Sequence, residues 1–152
     1  MSIADNPCFA EINSCSYLFV DALNELPGNG LQVVLREGLV RAEATTLKIA
    51  DTQLTGLHAI EATEKSRSFE VKWEYYVAYS VVNESFKKRR TDELWAGDLF
   101  RIYTKSCFID FVAAATFATD EYPGPLQHIG LLCEDHIVDV ISTKEPSVKK
   151  LS

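Results

Sequence analysis

The residues best equipped for chemistry lie in one short stretch. Cys133, Glu134, Asp135 and His136 are consecutive, with Asp139 three residues beyond His136 and His128 five before Cys133. A thiol, an imidazole and a carboxylate are the parts of a nucleophile, its base and the group that orients the base. Cys133, His136 and Asp139 are therefore the candidate catalytic residues. Strand geometry argues against them. Successive side chains of a strand point to opposite faces, so Cys133 and His136 differ in parity, as do His136 and Asp139. They meet only if Glu134 and Asp135 form a tight turn. The plainer reading makes Glu134 and Asp135 turn residues and lets His136 open a strand. The same histidines with a carboxylate could hold a metal, but their spacing matches no familiar ligand pattern. Asp110 and Asp139 also stand inside apolar runs, where a buried carboxyl could serve as an acid or base.

A second set is aromatic. Trp73, Tyr75, Tyr76 and Tyr79 lie on one extended segment. They could line a platform for a planar ligand, although aromatic residues most often fill a core. Trp73 and Tyr76 are the candidate ligand-binding residues. By parity Tyr76 faces away from the other three, which favours it as an exposed contact. The run Lys87, Lys88, Arg89 and Arg90 reads first as a solvated connection and, functionally, as a patch for an anion or phosphate. No phosphate-loop, dinucleotide, zinc-protease or serine-hydrolase signature is present.

Composition narrows the classes. The chain has 152 residues, 47% apolar and 24% charged, with a net charge of −7. That length favours one domain with a real core, here 1–152. An acidic surface repels phosphate backbones and anionic lipid, so neither nucleic acid nor membrane is an expected partner. No run approaches the roughly 20 apolar residues of a membrane span. The first residues lack the basic and apolar regions of a secretory signal, which makes the cytoplasm the expected compartment. Cys8, Cys15, Cys107 and Cys133 form no Cys-x-x-Cys pair and read as reduced thiols, with Cys8 the one expected at the surface.

The elements that must position these groups are mostly strands. Phe69, Val71, Trp73, Tyr75, Val77, Tyr79 and Val81 alternate with Glu70, Lys72 and Glu74, the period of a half-buried strand. From Phe69 to Ser85 it would extend about 56 Å, longer than the domain is wide, so a bend is expected near Ala78–Ser80. Its second half, apolar on both faces, reads as a central strand. A strand from Ser16 to about Ala22 precedes a turn at Pro27–Gly30. Residues 31–36 and 39–47 suggest a hairpin with Glu37 and Gly38 as its turn. Residues 50–67 read as a polar loop with a short strand at 57–62. A strand at 98–105 is followed by a helix over 107–117, capped by Ser106, with Ile109, Val112, Ala113, Thr116 and Phe117 on one stripe. A loop at 120–126 precedes apolar runs at 128–133 and 136–142. Residues 1–7 and the tail from Thr143 are expected to fray.

The fold class expected is a single antiparallel β-sandwich or partly closed β-barrel with one short helix near residues 107–117. The function expected is a non-enzymatic binding or interaction domain for an unknown small molecule or protein, with no cofactor implied. The alternatives are an acidic partner that neutralises a basic protein, and a small enzyme with a Cys, His and carboxylate site at residues 133–139.

Overall fold

The computed structural model describes residues 2–152. Their elements are, in order, α1 (Pro7–Asn13), β1 (Tyr17–Leu26), β2 (Gly30–Ile49), β3 (Thr52–Glu61), β4 (Ser68–Trp73), β5 (Ala78–Asn83), β6 (Leu94–Ala96), β7 (Phe100–Lys105), α2 (Cys107–Ala115), β8 (Gln127–Leu132), β9 (His136–Ser142) and β10 (Ser147–Lys150). They build two antiparallel sheets, ordered β1-β2-β4-β10 and β5-β9-β8-β7-β6, with β3 continuing along β2. This is the sandwich alternative; neither sheet closes into a barrel. No helix among the described residues is long and apolar enough to cross a membrane.

Period-2 alternation makes the core. Leu31, Val33 and Leu35 of β2 pair across the ladder with Trp73, Val71 and Phe69 of β4. All six are buried, and they pack with Phe100, Ile129, Leu131, Val138 and Val140 of the second sheet. Each fully buried side chain of this size contributes about 1.5–3 kcal/mol relative to exposure. Backbone bonds join the layers too: the Glu134 N–H donates to the Leu18 carbonyl at 2.7 Å. At one edge the Tyr76 and Tyr79 hydroxyls both donate to Glu25 of β1, at 3.1 and 2.8 Å.

The turn at Pro27–Gly30 is as expected. Gly28 and Asn29 take φ of 75° and 58° in the three-residue loop between the paired Leu26 and Gly30, a conformation open to glycine and asparagine. The turn expected at Glu37 and Gly38 does not exist, because β2 runs through both. Gly38 is small for a different reason. A Cβ there would lie 2.9 Å from Tyr17 Cβ, Phe19 Cε2 and Ile60 Cγ2. The short strand expected at 57–62 is real but longer: β3 covers Thr52–Glu61, takes up much of the expected loop and pairs with the far half of β2.

The long alternating segment divides in two. β4 ends at Trp73, residues 74–77 cross between sheets, and β5 starts at Ala78 in the other sheet. The break falls before the bend expected at Ala78–Ser80. Nor is the second half central, since β5 is an edge strand. The Ser106 cap is as expected, its hydroxyl accepting the Ile109 N–H at 3.1 Å. Of the helical stripe only Val112 is buried, and Phe117 lies past the helix end, 99% exposed. The tail expected to fray carries β10 on the edge of β4, and at the other end Ile3 is buried. Cys107, not Cys8, is the exposed cysteine.

Arg67 and Asn13 tie α1 to the sheets. Arg67 grips Glu37 through Nη2 and Nε at 2.7 and 2.9 Å and reaches Ser14 Oγ at 2.9 Å. Asn13 Oδ1 accepts the backbone N–H groups of Asp98, Leu99 and Phe100 at 2.8–3.0 Å, which sets the start of β7. Gly38→Ala should cost about 1–3 kcal/mol by overpacking. Urea denaturation measures this, and a variant as stable as the parent would contradict an unbroken β2.

Candidate functional site

The second sheet has two covered faces. Its inner residues join the core, while His128 of β8 and Asp139 of β9 point outward beneath α2 and the 84–93 connection. Opposite pairing sets them up. His128 faces Ile141 and Gly130 faces Asp139, so His128 and Asp139 are diagonal neighbours on one side, close enough for side chains to meet. Gly130 leaves the space between them: a Cβ there would approach Tyr103 Cε2 at 2.8 Å and Asp139 Oδ1 at 3.2 Å.

A connected polar chain fills this space. His128 Nε2 donates to Asp139 Oδ1 at 2.8 Å, and Ser106 Oγ meets His128 Nδ1 at 2.7 Å. Lys87 Nζ donates to Asp139 Oδ2 at 3.0 Å. The Ser106 oxygen already accepts from the helix, so its O–H donates to Nδ1 and the Nε2–H tautomer satisfies the imidazole. Tyr103 stacks on His128 with centroids 4.1 Å apart, and Phe108 meets the ring edge-on at 5.6 Å. Burial pushes the Asp139 carboxyl up, but the His128 bond and the Lys87 ammonium outweigh it and hold the carboxyl below its ordinary range. Burial likewise opposes the charge of Lys87, and Asp139 more than restores it.

Serine, histidine and aspartate in hydrogen-bonded sequence are the components of an acyl-transfer triad. The surroundings give them a different role. Ser106 is 2% exposed and His128 3% exposed, and the hydroxyl is committed as a helix cap, so no substrate carbonyl can approach it. The network ties α2, β8, β9 and the basic connection together. Of its members, the sequence flagged His128 and Asp139 for chemistry, Lys87 as part of a basic run and Ser106 as a cap. Their convergence depends on strand register.

The expected catalytic group does not assemble. Cys133 is buried in the core, where burial pushes its thiol up to about 12. Glu134 and Asp135 do form the turn, with Asp135 at φ 67°, but His136 beyond it is exposed and Asp139 is bound to His128. Asp110 is exposed on α2. Among the described residues no three His, Cys, Asp or Glu side chains are grouped to hold a metal ion.

The aromatic candidates separate too. Trp73 is 1% exposed and belongs to the core. Tyr76 does not face away from its neighbours: it packs edge-on against Tyr79 at 4.9 Å. The crossing at 74–77 breaks the strand parity that set them apart.

The aromatic surface that is open lies elsewhere. A cleft of about 250 Å³ runs between the 84–93 connection and the outer face of β7. Trp95 and Tyr103 form its aromatic wall, with centroids 5.7 Å apart. The Arg101 guanidinium lies 4.3 Å from the Trp95 centroid. Lys87, Lys88, Arg89 and Arg90 supply the facing rim. Lys87 is held by Asp139, and Arg90 by Asp92 at 2.7 Å. Lys88 and Arg89 have no ion-pair partner among the described residues. The basic run was visible in sequence; its meeting with Trp95 and Arg101 was not.

Comparison with models of known protein families, with curated proteins and with solved structures finds no match.

Asp139→Asn should destabilise the protein by about 2 kcal/mol near neutral pH, the scale of hydrogen bonds to charged groups. Because the folded Asp139 titrates below its unfolded value of about 3.9, its stabilisation is present above that value. It fades as pH falls through the folded one. Urea midpoints of the two proteins should thus converge as the pH is lowered below the unfolded value. A gap as wide there as at pH 7 would show that the carboxylate charge contributes nothing.

Proposed function

We propose that this chain is a non-enzymatic binding domain whose ligand is a small anion with a flat or apolar body, held in the cleft of Trp95, Tyr103 and Arg101. The observation that carries this is the gathering of five of the chain's 15 Lys and Arg residues around one aromatic-walled cleft, on a protein of net charge −7. Apolar walls with a few convergent charges are the usual makeup of a small-molecule site. Lys88 and Arg89 make no ion pair among the described residues, and the five cations outnumber the two carboxylates, Glu84 and Glu93, that line the same cleft. Arg101 and Trp95 supply a flat surface for cation–π and stacking contact. Lys87, anchored on Asp139, fixes one end of the basic rim. Four free cysteines suit a reducing compartment such as the cytoplasm.

Phenyl phosphate is a suitable probe, with inorganic phosphate as its ring-free counterpart. In a Trp73→Phe background the remaining indole is Trp95. Titration with phenyl phosphate should change Trp95 fluorescence saturably and more tightly than phosphate alone. Lys88→Glu/Arg89→Glu should weaken binding about tenfold or more, and raising salt should weaken it in the parent, because exposed charges are screened. An unsaturable response, or equal affinity in the double variant, would rule out this cleft as the site.

A further inference from the structure

The aromatic wall of the cleft carries a hydrogen-bond donor that the chain itself does not use. Tyr103 lines the cleft yet is only 6% exposed. Its ring is fixed on both sides: it stacks on His128 with the planes 8° apart and meets Trp95 at 47°. Its hydroxyl finds no acceptor among the described residues. Were that oxygen sealed, it would be a buried orphan, but the one sealed side-chain nitrogen or oxygen without a partner is Trp73 Nε1. The small exposed part of Tyr103 therefore includes the hydroxyl, which opens on the cleft.

The neighbours make this hydroxyl a good donor. Burial pushes the phenol above its ordinary value, and Arg101 and, more weakly, Lys87 oppose that shift without cancelling it. The group keeps its proton at neutral pH. A guanidinium beside the oxygen polarises the O–H bond and strengthens it as a donor. Arg101 is itself held: its Nε donates to the Asp98 carbonyl at 2.9 Å, and the guanidinium lies 4.3 Å from the Trp95 centroid. Arg101 and Tyr103 are two apart on β7 and so share a face, and Trp95 pairs with Tyr103 across the β6–β7 ladder. The nearby carboxylate of Glu93 is occupied, accepting the Cys107 N–H at 3.1 Å and standing 4.0 Å from Arg90.

A held guanidinium and a free O–H beside an aromatic ring are two donors with no acceptor to match. Bonds from such groups to an ionised oxygen are shorter and stronger than those to a neutral one. We propose that Tyr103 is the specificity-determining donor of this cleft: with Arg101 it binds one oxyanion group of the ligand, a phosphate, sulfate or carboxylate, beside Trp95. This rests on the cleft being the ligand site and names the chemical group that the cleft selects.

Tyr103→Phe tests it, because the ring and its stacking are kept. The urea midpoint should not change, since the hydroxyl has no partner within the chain. Calorimetric titration should show phenyl phosphate and inorganic phosphate weakened by the same factor, about tenfold, the scale of one hydrogen bond to a charged group. Inorganic phosphate, which is transparent in the near ultraviolet, should perturb the tyrosine absorption of the parent but not of Tyr103→Phe, and NaCl of equal ionic strength should perturb neither. Parent-like affinity in Tyr103→Phe, with Lys88→Glu/Arg89→Glu still weak, overturns this inference and leaves the cleft as the site. A loss confined to phenyl phosphate also overturns it, because Tyr103 would then be a wall and not a donor. A parent that binds neither probe removes the cleft reading and this one together.

Discussion

Packing of Phe69, Val71 and Trp73 against the inner face of the second sheet is the constraint on which the rest of this structure depends. These side chains come from β4, next to β2 in the first sheet. After four intervening residues the same chain starts the edge strand of the other sheet. The crossing at 74–77 therefore fixes how the layers face each other. With the inner faces sealed by apolar residues, the outer face of the second sheet is left to α2 and the basic connection. Every polar group of interest in that region sits there.

The buried chain of Ser106, His128, Asp139 and Lys87 illustrates how little residue identity says about role. The same three residue types perform acyl transfer when a substrate can reach them. Here the hydroxyl caps a helix, the imidazole is stacked against Tyr103 and met edge-on by Phe108, and the carboxylate is neutralised by a lysine. What results is a rigid, satisfied interior network of the kind that specifies one arrangement of its neighbours. Lys87 carries that rigidity outward, since it belongs both to the network and to the cleft rim. A basic run that would otherwise be solvated at random is thereby held against Trp95 and Arg101.

Charge on this molecule is sorted by region. Five cations line the cleft together with Glu84 and Glu93, while the overall balance of the chain is acidic. Arg67 and Glu37 stand where β2 runs on past β4, and their bidentate pair joins β2 to the segment entering β4.

The sequence alone established the class of fold, the identity of most strands, the Pro27–Gly30 turn and the Ser106 helix cap. Each rests on local physics: alternation of burial, backbone conformations open to glycine and asparagine, and a hydroxyl placed to accept an orphan N–H. It misplaced the features that local physics leaves open. Glu37 and Gly38 looked like a turn because glycine suits turns, whereas Gly38 is required by three neighbours brought from β1 and β3. The alternation from Phe69 to Val81 continues unbroken in sequence although its halves lie in different sheets. Only the tertiary structure decided that His128 and Asp139 meet, that Cys133 and His136 do not, and that residues 87–90 face Trp95. The reason is register: a shift of one residue in strand pairing reverses which side chains share a face, and register is set by packing between segments far apart in the chain.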